Sequence, residues 1–183
     1  AIIACLVGSE MCIRDRLDRL SQYPAQQLDR EQRPYFTNEV FDNYYIGKGS
    51  TYPLVTGGVG ILFEQSGSEG ITIESGHGPQ LYRENIRQHM NSGLSVIQGA
   101  HEMRMDFLNH QKTFYETTSE AAKTAQDKAY LVAAPGDAKR LEAFLMMLKR
   151  HRIDAFALAR DTNGFKAGEA FVIPADQNQH RLI

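Results

Sequence analysis

A short apolar run in the first third of the chain predicts a buried strand. Residues 57–65 read GGVGILFEQ, with glycines before the run and polar residues after it. Four to eight apolar residues between turn signals are typical of such a strand. The strand would end at Glu64. An ionised carboxylate is costly to bury unless it is paired or binds a metal, so Glu64 either lies in solvent beyond the strand or belongs to a site.

Helical spacing of apolar residues dominates two other stretches. Leu17–Arg30 carries three leucines among polar residues and predicts the tail of an amphipathic helix, weakened at Pro24 and ended by Pro34. From about Gln80 a longer helix is expected, with its apolar stripe in the core, running to about Lys123 with fraying or a break after His110. The stripe consists of Ile86, Met90, Leu94, Ile97, Ala100, Met103 and Phe107. The polar stretch before it, residues 65–78, predicts a surface loop.

The last third of the chain predicts an alternation of strands and a helix. Residues 121–127 are polar and alanine-rich, and we place a domain boundary there. The elements expected after it are a strand at 128–134, a helix at 138–150 capped by Asp137, a strand at 153–158, a turn at 161–164 and a strand at 171–174. Strand–helix–strand order with short turns predicts a right-handed βαβ unit in a parallel sheet.

Composition excludes several classes of function. The 183 residues are 42% hydrophobic and 23% charged, as in an ordinary globular protein. A net charge of −2 gives no basic surface for nucleic acid. No apolar run approaches the roughly 20 residues that span a bilayer. We therefore expect neither a nucleic-acid partner nor a membrane-spanning segment.

The run YYIGKGSTYP at residues 44–53, followed by GILFEQ at 60–65, resembles the last catalytic segments of the zinc carboxypeptidase family, in particular its large bacterial members. The resemblance implies that Glu64 is the general base beside the zinc ion. It implies that Tyr45, or the adjacent Tyr44, lies on a loop over the C-terminal end of a peptide or protein substrate. Ser50, Thr51 and Tyr52 are candidates for the substrate pocket, although loop structure alone explains them as well.

The same resemblance predicts an α/β fold in two parts. Residues 17–123 would be the C-terminal portion of a carboxypeptidase-like mixed-sheet domain. Residues 128–183 resemble the start of a doubly wound, parallel-sheet domain of the glutamine-amidotransferase type that follows the peptidase domain in some members. The family's zinc ligands, a His-x-x-Glu pair and a later His, lie upstream of the tyrosine loop, so we expect no metal ligand in this chain. Export to the periplasm or the cell exterior is implied by the family alone.

Two alternatives belong to other classes of function. The stretch Gly47–Thr51 suggests a phosphate-binding loop, but its spacing fails the P-loop pattern and Pro53 argues against a following helix. A non-catalytic peptidase-like binding module is the second alternative. A complete upstream sequence without the His-x-x-Glu pair and later His would favour that module.

The first sixteen residues resemble the conceptual translation of a sequencing-library adapter, through CLVGSEMCIRDR at 5–16. On this interpretation, residues 1–16 are not native and the chain is a fragment. Both cysteines, Cys5 and Cys12, lie in this segment, so the rest of the chain offers neither a disulfide nor a cysteine zinc site.

Overall fold

A computed structural model describes residues 10–36, 45–64, 70–76 and 78–183. Within these ranges the protein is mixed α/β, with four α-helices and two small antiparallel sheets. The chain forms two compact units, Ala1–Gln111 and Lys112–Ile183. The division falls inside a helix, earlier than the stretch 121–127 where the sequence places a boundary.

The first unit is built mainly from helices. Its elements are α1 (Glu10–Arg30), a 3₁₀ turn (Tyr52–Val55), β1 (Thr72–Ser75), β2 (Gly78–Leu81), α2 (Tyr82–Glu102) and the start of α3 (Arg104–Thr124). The strands β1 and β2 pair as an antiparallel hairpin in the region expected to be a loop. Helix α1 begins at Glu10, inside the segment that resembles an adapter translation.

Helix α2 packs antiparallel to α1, and the residues that it buries are small or polar. Arg33, just after α1, pairs with Glu84 near the start of α2 at 2.9 Å, and the Tyr23 hydroxyl donates to Glu102 at the end of α2 at 2.8 Å. Between these pairs lies Gly99, where an added Cβ would be 2.6 Å from the Tyr23 ring. The two helices therefore approach closely because Gly99 has no side chain.

Helix α1 continues through Pro24, which is buried. Proline removes one backbone hydrogen bond from a helix interior. Leu20 and Tyr23, on the turn before Pro24, pack against Gly99 of α2. The helix ends at Arg30, where Gln32 adopts a positive φ of 54°, before Pro34 is reached.

The long helix expected from Gln80 is interrupted, but not after His110. The break is at Met103, which is buried and separates α2 from α3. The amide of Met103 still donates to the Gly99 carbonyl at 2.8 Å, and Phe107 donates to Met103 at 3.1 Å. These hydrogen bonds keep the chain nearly helical through Met103. The three- and four-residue spacing of apolar residues therefore continues across the break, and the sequence does not predict the break.

The strand expected at the end of GGVGILFEQ does not form. Residues 58–64 are irregular and pair with no strand in the described part of the chain. Gly57 takes a positive φ of 79°, and Gly58 donates back to the Pro53 carbonyl at 2.7 Å, closing a turn. A strand forms only beside another strand whose backbone N–H and C=O groups can pair with its own. An apolar pattern does not show whether such a strand is present.

The second unit has a three-stranded sheet, one complete helix and residues 112–124 of α3. Its elements after α3 are β3 (Ala129–Ala133), α4 (Ala138–Arg150), β4 (Phe156–Ala157) and β5 (Ala170–Pro174). Strand order is β3-β5-β4, and both pairings are antiparallel. The prediction of a parallel sheet is therefore wrong for the described residues. The strands joined by α4 do run parallel to each other, but β5 lies between them.

The core of this unit explains the position of β5. Leu148 of α4, Ile153 and Ile173 of β5 are buried together. Strand β5 also contributes Ala170, which is fully buried. The most buried strand occupies the centre of the sheet because only there can both of its edges be hydrogen-bonded.

Candidate functional site

The tyrosine loop (residues 45–56) is held by its own backbone. The Lys48 amide donates to the Tyr45 carbonyl at 3.0 Å, and the Thr51 amide donates to the Lys48 carbonyl at 3.1 Å. Tyr45 itself is 68% exposed. A Cβ at Gly47 would overlap the Tyr45 ring, so the ring folds back over the loop only because residue 47 is glycine. Tyr44 lies outside the described residues.

Ser50 and Thr51 form the packed base of this loop. They are only 6% and 4% exposed, respectively. A Cβ at Gly60 would overlap the Ser50 carbonyl oxygen, so the backbones of the two segments touch. This contact places the run 57–64 against the tyrosine loop, beside the buried Ser50 and Thr51.

Tyr52 begins the 3₁₀ turn that closes the loop. It is half-buried, and its carbonyl accepts a hydrogen bond from the Thr56 hydroxyl at 3.1 Å. Backbone and side-chain hydrogen bonds within residues 45–56 thus hold the loop and the turn together as one local segment.

Glu64 is exposed at the end of the irregular run. This exposure agrees with a position in solvent, one of the two possibilities that the sequence allows, and a site at Glu64 would have to be open to solvent. It belongs to the same compact unit as the tyrosine loop, and three residues separate it from the contact at Gly60. The residues that follow it, 65–69, lie outside the described residues.

Five of the six histidines lie among the described residues. Among the described residues, no group of three or more His, Cys, Asp or Glu side chains is close enough to hold a metal ion. His89 and His101 are exposed, His110 is buried, and His180 contacts the Ala175 carbonyl through Nδ1 at 2.9 Å. His77 lies outside the described residues. Zinc, with ligands upstream of the tyrosine loop, stays a prediction from the resemblance.

Sequence reasoning missed a polar cluster at the junction of α1 and α2. The Glu31 carboxylate accepts hydrogen bonds from Gln27 at 2.8 Å and from Asn91 at 2.6 Å, which lower its pKa. Farther along, the hydrogen bond from Tyr23 to Glu102 raises the pKa of the Tyr23 phenol. The sequence feature that could have indicated this contact is the helical spacing of Gln88, Ser92 and Gly99, the buried residues of α2.

One apolar hollow lies in the second unit, between α4 and Phe171, with a volume of about 360 Å³. None of the residues that line it is a candidate site residue from the sequence. In the helices that the structure describes, no segment has both the length and the apolar character needed to cross a bilayer.

No protein-family model, curated protein or solved structure matches this chain. The resemblance to zinc carboxypeptidases therefore stays a prediction from the residues at 44–65.

Proposed function

We propose that this chain is part of a zinc-dependent carboxypeptidase-like peptidase that hydrolyses peptide bonds near a C-terminus. In this proposal Glu64 is the general base, and Tyr45, or the adjacent Tyr44, contacts the substrate. The zinc ligands come from residues upstream of this chain. The fold that goes with the proposal is the C-terminal part of a carboxypeptidase-like domain, followed by an appended α/β domain.

One observation supports the proposal beyond the sequence resemblance. The described parts of the two motif segments, residues 45–53 and 60–64, are packed together through Ser50 and Gly60. Because the backbones touch there, the tyrosine loop and the segment that ends at Glu64 belong to one local structure. Tyr45 and Glu64 are both exposed on it, as groups that meet a substrate must be.

The chemistry assigned to Glu64 is proton transfer. Its carboxylate would take a proton from the attacking water and deliver it to the departing amine of the peptide. The first step uses the ionised carboxylate and the second uses its protonated form. In both steps the group must be accessible to water and substrate, and Glu64 is exposed. Zinc would supply the Lewis acid for the reaction.

The test is Glu64→Gln in the protein that includes the upstream residues. Peptide hydrolysis should fall by a factor of about 100 to 10,000, the usual contribution of a positioned acid or base. Bound zinc, measured by elemental analysis, should stay unchanged. The matched control is Glu74→Gln, an exposed acid on β1, which should keep full activity.

Two results would contradict the assignment. Full activity in the Glu64→Gln variant would remove the proposed base. Zinc-dependent hydrolysis by residues 17–183 alone would mean that the metal ligands lie within this chain. A folded upstream-containing protein that binds the peptide without cleaving it would favour the binding module.

A further inference from the structure

Helix α2 packs with its polar face inward and its apolar face outward. Its buried residues are Gln88, Ser92 and Gly99, and Gly99 packs against α1. Its large apolar residues are each more than half exposed: Tyr82, Ile86, Met90, Leu94 and Ile97. A helix of a globular protein normally buries its apolar stripe. The expectation that the whole stripe lies in the core is therefore wrong for its first four residues, Ile86, Met90, Leu94 and Ile97, whereas Met103 is buried.

The outward face carries a regular seam. Ile86, Met90, Gly93, Ile97 and Ala100, here called the outer seam, are separated by four, three, four and three residues. This spacing is that of helices packing side by side through interlocking side chains. Gly93 interrupts the large residues, and a Cβ added to it would meet no other atom within 4 Å. The seam thus has a notch at its middle.

We propose that the outer seam pairs antiparallel with the outer seam of a second copy of this chain. When the two helices run in opposite directions about an axis between residues 91 and 92, Met90 of each copy faces Gly93 of the other. Ile86 then faces Ile97. The axis crosses the midpoint of α2, Tyr82–Glu102, so both copies use the same surface, as a two-fold dimer requires. Large residues meet small ones at the notch.

The exposed area agrees with this arrangement. The outer seam itself exposes three large side chains, and Tyr82 and Leu94 lie one turn from Ile86 and Met90 on the same helix. If the second copy covers all five, at about 100 Å² each, about 500 Å² per copy and about 1,000 Å² in all would be buried, which is the lower bound for a specific interface. Large exposed apolar patches of this kind mark interaction surfaces. The proposal uses no residue of the candidate peptidase site, so it stands or fails independently of that function.

The first experiment measures mass in solution by sedimentation equilibrium, with the full chain at increasing concentration. The wild-type chain should form dimers. Ile97→Glu should make it monomeric at the same concentration, because a charge would be buried at the seam. The matched control is Leu108→Glu, which changes an exposed apolar residue of α3 and should leave the dimer intact. Circular dichroism checks that both variants keep their helix content.

The second experiment tests the register. In a background of Cys5→Ser and Cys12→Ser, one tagged copy carries Met90→Cys and a differently tagged copy carries Gly93→Cys. Oxidation should join the two different copies faster than it joins two Met90→Cys copies. A parallel pairing would reverse this order and overturn the proposal. A wild-type chain that stays monomeric, or a dimer that Ile97→Glu does not weaken, would also overturn it.

Discussion

Two glycines on α2, Gly99 and Gly93, differ in whether the surrounding structure has room for a side chain. Gly99 lies where the Tyr23 ring leaves no space for a side chain, whereas Gly93 faces open space on the other side of the helix. Both lie in the interior of a helix, where glycine is intrinsically unfavourable compared with alanine. The neighbouring helix α1 makes glycine necessary at position 99, and it does not do so at position 93.

The Gly99→Ala variant should be destabilised. A Cβ there must displace the Tyr23 ring, and overpacking of this kind costs about 1–3 kcal/mol. Gly93→Ala on the same helix should instead be neutral or more stable by up to about 1 kcal/mol. Urea unfolding of dilute protein, where association does not contribute, measures both. Equal destabilisation by the two substitutions would contradict the close approach of α1 and α2.

Glu31 should make the first unit sensitive to acid. Hydrogen bonds from Gln27 and Asn91 lower its pKa from the ordinary value of 4.5. A carboxyl whose folded pKa is lowered stabilises the fold above the ordinary pKa, and that stabilisation is lost as the pH falls through the lowered value. Glu31→Gln should therefore reduce the loss of stability between about pH 5 and about pH 3.

Thermal unfolding at a series of pH values tests this sensitivity. Glu120→Gln, which changes an exposed acid of α3, is the control and should keep the wild-type slope. An unchanged slope in Glu31→Gln would show that the cluster at the junction of α1 and α2 does not contribute to acid sensitivity.

At the scale of elements, α4 shows what local sequence can specify. Its bounds, Ala138–Arg150, are those predicted, and the Asp137 side chain accepts a hydrogen bond from the Arg140 amide at 3.0 Å as an N-cap should. Cap, apolar spacing and basic last turn all indicate the same helix. The run 58–64 is the contrasting element, because a strand depends on a partner elsewhere.

Removal of the α4 cap should cost stability. Asp137→Ala leaves an unpaired amide in the first turn and should destabilise the second unit by about 0.5–2 kcal/mol. Asp127→Ala, at an exposed position before β3, is the control and should change stability by less than about 0.5 kcal/mol. Urea unfolding followed by circular dichroism measures the difference. A cost no larger than that of the control would mean that the cap is not used in solution.

At the scale of the whole molecule, the chain is two compact units whose cores are built from separate residues. The buried cluster of the second unit is Leu148, Ile153 and Ile173, and all three lie after Gln111. In the first unit, the contact between α1 and α2 is made by Leu20, Tyr23 and Gly99. A core substitution in one unit should therefore act on that unit first.

Leu148→Ala is the test of this division. Truncation of a buried leucine costs about 2–5 kcal/mol, so amide exchange should speed up across β3, α4 and β5. Protection in α1 and α2 should stay at its wild-type level. Met147→Ala, at the exposed neighbouring position, should have little effect on either unit. Loss of protection in both units would show that they unfold together.

Local pattern was enough where an element's signals lie within its own residues. The helix at 138–150, its cap, and the strands around Ala129–Ala133 and Ala170–Pro174 were predictable in this way, as was the turn at 161–164, where Asn163 and Gly164 take positive φ. The motif that nominates Glu64 and Tyr45 is also a property of contiguous residues. Its function stays a proposal.

Tertiary structure alone decided the features that depend on distant partners. Strand β5 entered between β3 and β4 because the centre of the sheet is where a buried strand satisfies both edges. The run before Glu64 stayed irregular because it found no strand to pair with in the described chain. Helix α2 turned its polar face to α1 because Gly99 permits a close approach there. Apolar spacing shows that a helix has two faces, but the neighbouring elements determine which face is covered.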